Sequence, residues 1–137
     1  YRAWSASNRS ALIRIPAARG QATRVELRSP DPSCNPYLAV AVCLAAGLDG
    51  IARGLTPPPE ITGDIYAMDD RTREARGIPC LPDNLKDALD ELEKDALVLD
   101  VLGGHVARQF LKGKLGEWNE YQTRVSSWEL EKYLVIY

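Results

Sequence analysis

Residues 36–48 contain no charged side chain, and that run constrains the fold of this chain more than any other feature. Asn35-Pro36 before it reads as an N-cap followed by a first helical residue, the positions those two side chains favour. The helix expected from there to about Arg53 is apolar on all sides until Asp49, so it should be buried all round. Its small residues Ala39, Ala41, Ala45, Ala46 and Gly47 would let it pack closely against a sheet. The run is too short to cross a hydrocarbon core of roughly 30 Å.

Two alternating segments precede it. Ser10 to Ile15 places Ala11, Ile13 and Ile15 on one face and Ser10, Leu12 and Arg14 on the other, with Pro16 as its stop. Thr23 to Ser29 places Thr23, Val25 and Leu27 opposite Arg24, Glu26 and Arg28. The short, Gly-containing link between them predicts an antiparallel pair. Residues 56–82 read as an irregular, charged excursion. Leu85, Ala88, Leu89 and Leu92 then form a helical stripe, and Leu97 to Leu102 a short helix ended by Gly103-Gly104. A longer helix carries Leu111, Leu115, Trp118, Gln122 and Val125. Ser126-Ser127-Trp128-Glu129 matches a capping box at the start of a last helix. The fold class is α+β: terminal strands of an antiparallel sheet, then a mostly helical region. One domain portion is expected over 1–137, with strands in 1–34 and helices in 35–137.

Charge is unevenly spread. Residues 1–28 hold six arginines, no lysine and one acid, Glu26, whereas the whole chain has a net charge of −2. Arginine is the side chain suited to a bidentate grip on phosphate or carboxylate. The small net charge and short basic strip argue against a nucleic-acid partner. Cys34, Cys43 and Cys80 lack the spacing of a disulfide framework or a zinc site and predict reduced thiols in a cytoplasmic protein. There is no signal or lipidation motif, and no membrane partner is expected. His105 has no neighbouring ligand in sequence and reads as structural. The opening Tyr1-Arg2-Ala3-Trp4 has no initiating Met, and a segment of a longer chain is expected.

The chemistry concentrates in Arg24-Val25-Glu26-Leu27-Arg28. Period 2 sets two guanidiniums and one carboxylate on one face, each about 6.5–7 Å from the next. By itself that pattern also describes an exposed strand with cross-strand ion pairs. Arg14 on the neighbouring strand and Arg9 before it point to more. A carboxylate between arginines stays ionised, the state needed to hold a divalent cation while arginines hold anionic oxygens. Phosphoryl transfer calls for this grouping.

The strings NRSALIRIPAARG and TRVELRSPDPSCNPYLAVAVCLAAGLDGI resemble the C-terminal signature of bacterial type I glutamine synthetases, and EWNEYQTRVSSWELEKYL resembles its Gram-positive form. The resemblance runs almost end to end and is weakest over 56–82. It implies a ligase that makes glutamine from glutamate, ammonia and ATP through γ-glutamyl phosphate, with Mg²⁺ or Mn²⁺. By that resemblance Arg9 reaches both the transferred phosphate and glutamate, and Arg14 and Arg24 lie on the phosphate side. Gln21, Ala22 and Thr23 line the nucleotide, Glu26 is a metal ligand, and Arg28 contacts glutamate. Arg9 and Glu26 are the catalytic candidates. Glu117 matches a position implicated in feedback by glutamine.

The resemblance further implies that the remaining metal ligands lie upstream of Tyr1, that the segment alone is inactive, and that the full-length protein forms a homo-oligomer, a dodecamer, with possible regulatory protein partners. Tyr66 falls near a tyrosine that some relatives adenylylate, but Asp64 to Asp69 departs from that pattern and Tyr66 is expected to be unmodified. Two other readings share these residues: a γ-glutamyl ligase using another amine, and a non-catalytic docking module of the same fold.

Overall fold

The computed structural model describes residues 1–136 and divides into two compact units, Tyr1–Asp83 and the segment from Asn84 on. In the first unit, three two-residue strands form one sheet: β1 (Trp4–Ser5), β2 (Ile13–Arg14) and β3 (Glu26–Leu27). β2 and β3 are antiparallel, with Ile13 opposite Leu27 and Arg14 opposite Glu26, so the expected faces are kept. The regular ladder is shorter than the alternation suggested, although the Arg28 amide still donates to the Leu12 carbonyl at 2.9 Å. β1 adds a parallel neighbour to β2 that two residues of alternation could not announce.

The core of this unit is small. Ala3, Ala11, Ile65 and Ile78 are buried together, with Tyr1, Ile61 and Met68 against them. Ile65 is fully enclosed, and burial of one such side chain is worth about 1.5–3 kcal/mol. It comes from the stretch expected to be irregular. That stretch holds a 3₁₀ turn at Ile65–Ala67 and a short helix, α2 (Asp70–Ala75), whose first turn is capped by Asp69 accepting from the Thr72 amide. Arg73 of α2 stacks over Tyr1, 5.2 Å from the ring centre.

Helix α1 (Pro36–Ala52) starts as expected, with the Asn35 side chain accepting from the amides of Tyr37 and Leu38. Its expected burial is not observed: none of its residues is buried, and Tyr37 and Ile51 are 84% and 78% exposed. An apolar helix states what it would bury but does not bring the partner with it, and no described element encloses this one.

The second unit is helical. α3 (Leu85–Lys94) packs against α4 (Ala96–Gln122) and buries Leu89 of its apolar stripe. Gly103 interrupts α4 with non-helical φ 71° and ψ 151°, the break expected there. α5 (Ser127–Tyr133) begins at the expected capping box, in which Ser126 and Glu129 bond reciprocally. Among the described residues, no helix is long and apolar enough to cross a membrane.

Candidate functional site

The β2–β3 register brings Arg14 and Glu26 to the same face, because residues directly opposite in an antiparallel pair share a side. Arg14 Nη1 donates to Glu26 Oε2 at 3.1 Å. From two residues before Glu26, Arg24 donates through Nε and Nη2 to Oε1 at 3.0 and 2.7 Å. Arg24 Nη1 also reaches the Ala22 carbonyl at 3.2 Å, tying the 3₁₀ turn Gly20–Ala22 to the cluster. That turn holds Gln21, and Thr23 closes it by donating to the Gly20 carbonyl. Gln21, Ala22 and Thr23 are all exposed.

Hydrogen bonds from Arg24 and then Arg14 hold the Glu26 carboxyl below the ordinary carboxylate range. A carboxyl depressed on folding contributes stability above its unfolded pKa, and that contribution is lost as pH falls through the folded value. Glu26 is therefore an anion at any pH near neutrality.

Arg9 and Arg28 lie elsewhere on the same unit. They line an open cleft of about 130 Å³ with Tyr1, Ser10, Ser29 and Tyr66 among its other walls. The ion pairs of this region join Arg14 and Arg24 to Glu26 and do not use Arg9 or Arg28. The structure thus sorts the expected residues into two groups, a carboxylate held between two arginines and a cleft faced by two more. Tyr1 and Tyr66, whose rings are 5.7 Å apart, were not expected at the cleft. Tyr66 arrives from a segment with no periodic pattern, so alternation carried no signal for it.

Exposed ion pairs contribute only about 0–1 kcal/mol each, so stability alone does not account for two arginines on one carboxylate with two more facing a cleft on the same unit. The set suits anionic oxygens. Arg14 Nε is buried without a hydrogen-bond partner, a state that costs on the order of 1–3 kcal/mol until an acceptor reaches it. A phosphate oxygen is such an acceptor. For a divalent cation the fit is partial. An ionised carboxylate offers about four lone-pair positions; the arginines take two on Oε1 and one on Oε2, leaving one on Oε2 for a cation. No group of three or more His, Cys, Asp or Glu side chains that could hold a metal occurs among the described residues. Within the Arg14–Glu26–Arg24 cluster, Glu26 is the single carboxylate.

Glu117 is in the second unit, on α4, where Lys114 Nζ contacts both of its carboxylate oxygens at 2.9 and 2.8 Å.

Comparison with known proteins gives one family. The model for "Glutamine synthetase, catalytic domain" matches residues 1–133. The chain is 56% identical to the glutamine synthetase of Thermus thermophilus over 135 residues, covering 98% of this chain and 30% of that protein. It is 52% identical to the glutamine synthetase of Thermotoga maritima over 136 residues, covering 99% of this chain and 31% of the relative. Among solved structures it is similar to a GmaS/ADP complex in its conformation 1, with a TM-score of 0.80 and 37% identity over 96% of this chain and 29% of that one. The chain spans about 30% of the length of the curated relatives it matches.

Proposed function

The chain belongs to the glutamine synthetase catalytic-domain family, and on that premise we propose that it supplies the arginine-rich part of a glutamate–ammonia ligase site. The carrying observation is the carboxylate of Glu26 held ionised between Arg14 and Arg24 on the face fixed by the β2–β3 register. Arg14, with its unsatisfied Nε, and Arg24 grip phosphate oxygens of ATP, and the turn Gln21-Ala22-Thr23 lies along the nucleotide. Arg9 and Arg28 face a cleft suited to the carboxylates of glutamate, and Arg9 also reaches the phosphoryl group in flight. In the reaction, a γ-carboxylate oxygen attacks the terminal phosphorus of ATP and ADP leaves. Ammonia then displaces phosphate from the γ-carbonyl to give glutamine. The arginines act by position and charge, as phosphoryl transfer requires. Mg²⁺ or Mn²⁺ would neutralise charge on the ATP phosphates when bound, and Glu26 would offer it one carboxylate oxygen.

The three free cysteines support a reducing, cytoplasmic setting. A homo-oligomeric assembly, a dodecamer by family likeness, is part of the same proposal.

The test uses the full-length protein that carries this segment. Glu26→Gln keeps shape and removes charge, so activity should fall by about a hundredfold or more, with partial rescue at high Mn²⁺ and an intact fold. Arg28→Lys keeps charge but loses the planar fork and should mainly raise the apparent KM for glutamate. An unchanged metal activation curve in Glu26→Gln would remove Glu26 from the metal. The remaining role would be an ion-pair partner, visible as lost stability.

A further inference from the structure

Arg9 lies in the connection between β1 and β2, outside any strand, so no ladder fixes its backbone. Its two neighbours are held instead. The Asn8 side-chain carbonyl accepts from the Ser10 amide at 2.9 Å and from Ser10 Oγ at 2.7 Å. The same side chain donates through Nδ2 to the Gly63 carbonyl. Ser10 Oγ in turn accepts from the amide of Ile65 at 3.0 Å, at a buried position. On the N-terminal side, the Asn8 amide donates to Ser5 Oγ at 3.2 Å, and Ser5 Oγ donates to Glu60 Oε1, also at 3.2 Å. Glu60 Oε1 takes the Ala6 amide as well, at 2.8 Å. The turn carrying Arg9 is thereby fastened at both ends to residues 60–65, whose Ile65 anchors the core.

We propose that Asn8 is a positioning residue for Arg9, using its amide as a two-sided clamp: the oxygen shapes the turn and the nitrogen fastens it to residue 63. Only a carboxamide of this length does both. Aspartate keeps the acceptor and loses the donor, and alanine loses both. Holding a guanidinium to within a fraction of an ångström is what a substrate-gripping arginine requires. The inference rests on the reading that Arg9 grips substrate.

The experiment is a double-mutant cycle on the full-length protein, read as kcat/KM for glutamate: Asn8→Asp, Asn8→Ala, Arg9→Ala and the combinations. Asn8→Asp and Asn8→Ala should each lower kcat/KM about tenfold or more. In the Arg9→Ala background the same changes should lower it by less than about twofold, because the group being positioned is gone. Equal fold-losses in both backgrounds would overturn the proposal and leave Asn8 a general stabiliser of the fold. Wild-type kcat/KM in folded Asn8→Asp would overturn it too. Where Asn8→Ala does not fold, the near-isosteric Asn8→Asp carries the cycle. If Arg9→Ala alone leaves kcat/KM unchanged, the role of Arg9 in substrate binding is what fails.

Discussion

Glu117 sits on α4, in the second unit. Its bidentate contact with Lys114 is an exposed i, i+3 pair of the kind worth a few tenths of a kcal/mol. If its role is that of an ordinary solvated pair, Glu117→Ala shifts stability by less than about 0.5 kcal/mol and leaves inhibition alone. The likeness of the tail to the Gram-positive form leads us to expect more: weakened inhibition by glutamine in the full-length protein, with uninhibited activity within about twofold of wild type. An inhibition curve that does not move would retire that role. The strand residues were far more legible. Period-2 alternation put Arg14 and Glu26 on matching faces, and the observed register agrees, whereas Arg28, expected beside Glu26, lines the cleft with Arg9. The part of the cleft made by Tyr1 and Tyr66 was not legible, because it depends on a buried Ile65 drawing an aperiodic segment against the strands.

Elements with strong local chemistry were readable from sequence. The Asn35 cap, the Gly103 break and the Ser126–Glu129 box each follow from groups within four residues of one another. Gly103 gives the clearest test at this scale. Its φ of 71° and ψ of 151° lie in a region open essentially to glycine. A Cβ there meets nothing within 4 Å, so the objection to alanine is the backbone alone. Gly103→Ala should cost about 1–3 kcal/mol in denaturant unfolding, while Gly113→Ala, inside the helix at ordinary φ and equally uncrowded, should be neutral or slightly stabilising. Equal effects at the two glycines would show that the break is dispensable. α2 escaped the sequence reading because six residues, largely charged, show no apolar period. Its Asp69 cap was the available signal.

For the molecule as a whole, the burial of α1 was where sequence reasoning stopped. Tyr37, Val40, Leu44, Leu48 and Ile51 recur at helical spacing and are each more than half exposed. Contiguous apolar surface of that kind marks a face made to be covered. The 137 residues alone should therefore self-associate in light scattering, and they should show no γ-glutamyl transfer with saturating ATP, glutamate and Mn²⁺, since the arginine cluster holds a single carboxylate for a cation. A well-behaved monomer would contradict the first expectation, and turnover at a rate normal for an intact enzyme the second. The ties from Trp4, Ser5, Ala6 and Asn8 to residues 58–63 each span 54 or 55 positions. Closing a loop of that length costs roughly 3.5 kcal/mol in chain entropy before any contact is gained. On a ribosome adding about 5–20 residues per second, Arg9 emerges roughly 3–11 s before Ile65. The bonds that tie the Arg9 turn to residues 60–65 cannot form during that interval, so Arg9 is synthesised early and set in place late, once residues 60–65 have folded back onto the strands.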